Sequence, residues 1–144
     1  MPCVVQNMSG VWVLVVVAVL LGVFGVWKYA HDGRMRSVSR PGLTATQIGE
    51  ALGERATLVQ FTSAFCAPCR ATRRILDEVA QMTPGVKHVD LDVDEYLPLV
   101  QELDISRTPT VFVLDANGAI VKRAAGQPRK ADVIAALGEA IPAV

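Results

Sequence analysis

An uninterrupted run of eighteen uncharged residues, Gly10 to Trp27 in GVWVLVVVAVLLGVFGVW, constrains this chain more than any other feature. Extended by Met8 and Ser9 before it and Lys28 and Tyr29 after it, the run makes a helix roughly 30 Å long, which matches the hydrocarbon core of a bilayer. A chain of 144 residues has no core wide enough to cover such a helix on every side. Trp12, Trp27 and Tyr29 stand near its two ends, where amphipathic rings favour the headgroup region. A cleaved export signal fits poorly. No Lys or Arg precedes the run, and VFGVWKYAHD follows it in place of a small-residue cleavage site.

The run divides the chain. We expect a short segment over residues 1–9, a transmembrane helix over 10–29, a basic juxtamembrane linker over 30–42 and one domain over 43–144. The linker stretch HDGRMRSVSRPG is polar and basic, with Gly and Pro. Charge is segregated although the total is zero: residues 1–42 carry Lys28, Arg34, Arg36 and Arg40 against Asp32, leaving ten basic and thirteen acidic side chains beyond them. A mildly acidic domain argues against nucleic acid as a partner. Because all four basic residues follow the run, the positive-inside tendency puts the domain on the cytoplasmic side of a single-pass anchor, with the extracytoplasmic side as the alternative. Cys3 precedes the run and reads as an incidental thiol.

Within the domain, Thr44 and Gln47 have capping-box spacing before a short helix near 45–52, weakened by Gly49. TLVQFTS reads as a strand. From Pro68 to Met82 the pattern is helical, with Ile75, Leu76, Val79 and Met82 on one face and Arg70, Arg73, Arg74 and Asp77 on the other. VKHVDLDV alternates as a second strand, and a helix over Tyr96–Leu103 follows. TPTVFVLDANGAIVKRAAG reads as a hairpin turning at Asn117 and Gly118. Pro128 opens a last helix bearing Val133, Ile134, Leu137 and Ile141. Strands alternating with helices and closed by a hairpin define an α/β fold with a mixed sheet.

FTSAFCAPCRATRRIL sets Cys66 and Cys69 where a strand hands over to a helix. A cysteine at a helix N-terminus faces unpaired N–H groups and the positive end of the dipole, which favour thiolate over thiol. The spacing can hold two sulfurs within bonding reach, so the pair can alternate between dithiol and disulfide. Two other readings compete. A zinc site would need further ligands, and only Cys3, His31 and His88 are on offer, without a second CxxC or an HxxxH. Two inert core cysteines are the other. His88, alternating with apolar residues, reads as structural.

The domain resembles the thioredoxin family over residues 43–144: LVQFTSAFCAPC is similar to the strand and CxxC motif, VDLDVDE to the next strand, and ISRTPTVFVLDANG to the segment around the family's cis-proline. The resemblance implies the thioredoxin fold, a central mixed sheet flanked by helices. It implies Cys66 as nucleophile toward a substrate disulfide and Cys69 as the resolving thiol. Pro109 would be the cis-proline, and Thr108 would pair its backbone with an extended substrate. No cofactor beyond a Cys66–Cys69 redox disulfide is implied, and no metal. Implied partners are protein disulfides and an electron donor, either a thioredoxin-reductase-like flavoprotein or a membrane carrier.

The sequence also departs from the family. Phe65 stands where Trp is common, Ala67 where Gly is common, and Gln60 where the family has a buried Asp. Asp90 occupies the position that often supplies a Lys to that Asp. Asp90 is therefore expected near Cys69, taking over part of the proton transfer. The expected function is a membrane-anchored thiol-disulfide oxidoreductase that reduces protein disulfides. Its rivals are an extracytoplasmic protein for disulfide repair or cytochrome and metal-carrier maturation, and a redox-inactive binding module with the same fold.

Overall fold

The computed structural model describes residues 3–38 and 41–142, which fall in two compact units, Met1–His31 and Asp32–Val144. Arg40, counted among the basic residues that follow the apolar run, lies outside the described residues.

The first unit is one helix, α1 (Cys3–His31). By length and composition its stretch Gly10–His31 qualifies as a membrane span, and none of it is buried against protein. His31 Nδ1 hydrogen-bonds the Trp27 carbonyl one turn back at 2.9 Å.

The second unit contains β1 (Arg36–Ser37), α2 (Ala45–Ile48), β2 (Ala56–Thr62), α3 (Ala67–Met82), β3 (Val86–Asp92), α4 (Leu97–Glu102), β4 (Thr110–Asp115), β5 (Ile120–Ala125) and α5 (Lys130–Ala140). The strands form one sheet in the order β1-β5-β4-β2-β3, with β2 and β3 parallel and every other pair antiparallel. This is the expected mixed sheet between helices. All seven residues of β2 are buried, as a strand covered on both faces must be.

Period-two alternation sorts the sheet's side chains into two cores. On one face Val59, Phe61, Val89, Leu91, Phe112 and Leu114 meet Ile48 of α2 and Leu99 of α4. On the other, Ala56, Leu58, Val111 and Val113 meet Leu76 and Val79 of α3 and Val133, Ala136 and Leu137 of α5. Phe61 and Phe112 pack edge to face at 5.8 Å between centroids. Each such buried ring or Leu contributes roughly 1.5–3 kcal/mol.

Three local expectations are corrected, and the expected hairpin turn is present. The helix after Thr44 forms its capping box but stops at Ile48, because Gly49 takes a left-handed φ of 73° and ends it after one turn. On α3 the buried stripe runs through Cys69, Thr72, Leu76 and Val79, which leaves Met82 exposed. Ile134 of α5 is likewise exposed, because Val133, Ala136, Leu137 and Ala140 face the sheet. The hairpin turn uses Gly118 at φ 85°, and Asp115 Oδ1 accepts the N–H groups of Asn117 and Ala119 at 2.8 and 2.9 Å.

The largest difference concerns the basic stretch read as a linker. Gly33 N–H donates to the Ala125 carbonyl at 2.9 Å, and Arg36 and Ser37 pair with Arg123 and Lys122 of β5. Met35 packs on the core under α3 and α5, Val38 on the core of the opposite face, and Asp32 pairs with Arg107 at 2.8 Å. Two apolar side chains among arginines are enough to dock an edge strand, and average composition hides them.

Candidate active site

β2 carries the chain to the end of the sheet, and Ser63–Phe65 turn it into α3, whose N-cap is Cys66. At this position the Cys66 sulfur lies where the first turn's N–H groups point, and Cys69 N–H reaches it at 3.2 Å. Pro68 occupies the first turn, where its missing N–H costs nothing, and no acidic residue stands there to oppose a thiolate. Cys66 and Cys69 are joined as a disulfide. The two sulfurs are unequal. Both line an open groove of about 530 Å³, but Cys69 is 3% exposed whereas Cys66 is only partly covered. Phe65 beside it is fully exposed.

A second loop meets this one. Thr108–Pro109 is a cis peptide and leads into β4. Ser63 and Thr108 join through their hydroxyls at 3.0 Å, fixing the segment before the proline to the loop before Cys66. Gly126 N–H donates to the Pro109 carbonyl at 2.7 Å, and the Thr110 hydroxyl donates to the Arg107 carbonyl at 2.7 Å. The cysteines and the Thr108–Pro109 loop are thus brought together by contacts 45 residues apart in sequence.

Beneath the cysteines lies a polar layer. Gln60 is wholly buried on the side of β2 that faces α3, and its Nε2 donates to the Cys69 carbonyl at 2.8 Å. Asp90 is the register partner of Gln60 on β3 and forms an ion pair with Arg73. Arg73 is exposed like Arg70 and Arg74, but it alone of the three is paired among the described residues. Its charge is held by Asp90, an exchange that helix periodicity alone does not reveal. Gln60 Oε1 and Asp90 Oδ1 are both buried without a hydrogen-bond partner, as are Thr72 Oγ1 and His88 Nε2. Buried polar atoms of this kind are ordinarily met by internal water. His88 is 6% exposed and bonds through Nδ1 to Asp77 at 2.6 Å, in keeping with a structural role.

A helix-capping cysteine bonded to a buried one, next to a proline loop at the end of a helix-covered mixed sheet, defines a class of proteins built around a redox-capable cysteine pair. Residues 43–139 match the thioredoxin family. A thioredoxin of Mycolicibacterium smegmatis is 33% identical over 89 residues, covering 58% of this chain and 77% of that protein. Thioredoxin M3, chloroplastic, of Oryza sativa subsp. japonica is 40% identical over 57 residues, covering 39% of this chain. The matched stretch spans only 33% of that rice protein, and further plant thioredoxins are matched over 53% to 63% of their length. Among solved structures, a mutant thioredoxin from Halobacterium salinarum NRC-1 superposes with a TM-score of 0.57 at 20% identity, covering 63% of this chain and 79% of that one. The chain belongs to the thioredoxin family.

Proposed function

We propose that this protein is a membrane-anchored thiol-disulfide oxidoreductase that reduces protein disulfides. The observation that carries the reading is the inequality of the two cysteines at the start of α3: both line the groove, but Cys66 is partly exposed there whereas Cys69 is buried.

In the forward cycle the Cys66 thiolate attacks one sulfur of a substrate disulfide. A Cys66–substrate bond forms, and the other substrate sulfur leaves as a thiolate that takes up a proton. Cys69 then gives up its proton and attacks Cys66 Sγ, which closes the Cys66–Cys69 disulfide and releases the second substrate thiol. Two electrons pass from the protein to the substrate. The cycle uses no cofactor besides the cysteine pair. A flavoprotein of the thioredoxin-reductase class, or a membrane electron carrier, returns the two electrons.

Thr108, fixed to Ser63 and followed by Pro109, offers its backbone to an extended substrate. Asp90 is the nearest match to a proton acceptor for Cys69. It is level with Gln60, whose amide holds the Cys69 backbone, and it has one buried carboxylate oxygen without a partner. Gln60 positions Cys69 and takes no proton. Helix α1 serves as a single-pass anchor, and the basic residues after it favour the cytoplasmic side. In that compartment thiols are kept reduced, which suits a reductase.

Reduction of a protein disulfide by the full chain in non-ionic detergent tests the reading. Cys66→Ser is expected to abolish turnover, and Cys69→Ser to accumulate a mixed disulfide with the substrate. A wild-type rate no higher than that of the double Ser variant rejects it. The Cys66–Cys69 potential is expected at about −270 mV, as in thioredoxins; a value near −120 mV points to an oxidant instead. Protease access to a C-terminal tag in intact cells tests the side of the membrane.

A further inference from the structure

The wall of the groove formed by α3 carries Arg70 and Arg73, and only the charge of Arg73 is neutralised by an ion pair among the described residues. Arg70 lines the groove beside Cys66, and Arg74 stands one turn further along the same exposed face. Neither has an ion-pair or hydrogen-bond partner among the described residues. The acids that helix spacing would offer Arg74 are engaged elsewhere: Asp77 with His88 at 2.6 Å and Glu78 with Lys130 at 2.5 Å. Arg73, between them, is held by Asp90. The loop Ser63–Phe65 brings no charge of its own. Asp92 also lines the groove, and one of its oxygens accepts the Asp94 N–H at 2.9 Å. The groove therefore carries one free guanidinium, that of Arg70, with a second, that of Arg74, beyond its lining on the same helix face. This occurs in a domain whose residues 43–144 carry more acidic than basic side chains.

We propose that Arg70 and Arg74 select disulfides whose neighbouring residues carry carboxylates, so that the substrate is an extended polypeptide with Asp or Glu beside its cystine, laid along the α3 wall. The inference rests on the thiol-disulfide exchange proposed above and adds the chemistry of the partner. Guanidinium groups on an exposed helix face pair readily with carboxylates and raise encounter rates with anionic segments. Fully exposed Phe65 supplies apolar contact next to the cystine. A Lys-flanked segment would meet two like charges in the same place.

The test uses the pre-reduced full chain in non-ionic detergent, freed of small thiols, and follows a single turnover with disulfide-linked peptides that differ only in two residues. In one set Asp, Asn or Lys precedes the cystine; in the other they follow it. In at least one set the Asp peptide is expected to be reduced about 10-fold faster than the Lys peptide at low ionic strength, with Asn between them. That ratio should fall toward unity at about 0.5 M salt, where charges are screened within a few ångströms. Arg70→Glu with Arg74→Glu should reverse the order. Equal rates for Asp, Asn and Lys peptides in both sets overturn charge selection while leaving thiol-disulfide exchange standing. An order that persists unchanged in the double variant, or that does not respond to salt, overturns it as well. Failure to reduce any peptide overturns the exchange reading and this inference together.

Discussion

The side-chain amide of Gln60 donates to the backbone carbonyl of Cys69 at 2.8 Å, so a residue of the central strand holds the buried cysteine's main chain in place. The amide's other atom, Oε1, is buried without a partner on the same face as Asp90. A carboxylate at this position would lose the donor and bury a charge level with another carboxylate. Gln60→Glu is therefore expected to destabilise the oxidised protein by about 3 kcal/mol at neutral pH. Gln60→Leu should cost only about 1 kcal/mol, since it removes the unmet acceptor along with the hydrogen bond. Burial raises the introduced carboxyl's folded-state proton affinity. The Glu penalty is thus full above the folded-state titration and shrinks as pH falls through it. Denaturant unfolding at several pH values measures both.

Asp90→Asn leaves Arg73 facing a neutral amide. Because Arg73 is about half exposed, the loss of the pair should change stability by less than about 1 kcal/mol. The expected effect is kinetic: release of a substrate trapped on Cys66 slows, while formation of that mixed disulfide does not. Rapid-quench measurement of both steps separates them. An unchanged release rate across neutral pH removes Asp90 from the proton path.

A soluble fragment that starts at residue 32 keeps β1, Met35, Val38 and the Asp32–Arg107 pair, whereas one that starts at residue 43 loses all of them. The longer fragment is expected to be more stable by about 2–4 kcal/mol, mostly from the two partly buried apolar side chains. Thermal unfolding of the two fragments decides. Equal stability would mean that the edge strand contributes nothing.

Gly118→Ala places a methyl group at a backbone φ of 85° and drives it into the Leu43 carbonyl. The hairpin and the segment that leads into α2 are tied at this point, where Leu43 N–H reaches the Gly118 carbonyl at 2.7 Å. A loss of about 1–3 kcal/mol is expected, seen as a lower melting temperature with the active-site disulfide still able to form.

Much of the fold is legible in the sequence because its signals are local. Strand alternation and helical spacing locate β2, α3, β3 and the hairpin to within a residue or two. Thr44 with Gln47 announces a capping box that is present. The place of Cys66 at a strand-to-helix junction follows from the same periodicity. Expectations fail where a pattern is read without its partner. Met82 and Ile134 fit a helical stripe, yet the sheet's position selects a different stripe on each helix. Gln60 stands out as a departure from the family, but its use as a donor to Cys69 does not, because nothing in the neighbourhood of residue 60 points to residue 69.

Neighbours a few residues apart suffice for an uncharged run long enough to span a bilayer, for the order of strands and helices, and for two cysteines one helical turn apart at the N-terminus of α3. Periodicity and helix geometry act over that range, so these features can be read directly along the chain. Register between distant segments settles the rest, and it exists only in the packed molecule. Packing assigns Arg73 to Asp90 and leaves Arg70 and Arg74 free, fastens Thr108 to Ser63, and draws residues 32–38 out of a linker into the sheet. In each case several partners of suitable chemistry are present along the chain. Only close packing of the two cores against the sheet fixes which of them come within hydrogen-bonding distance.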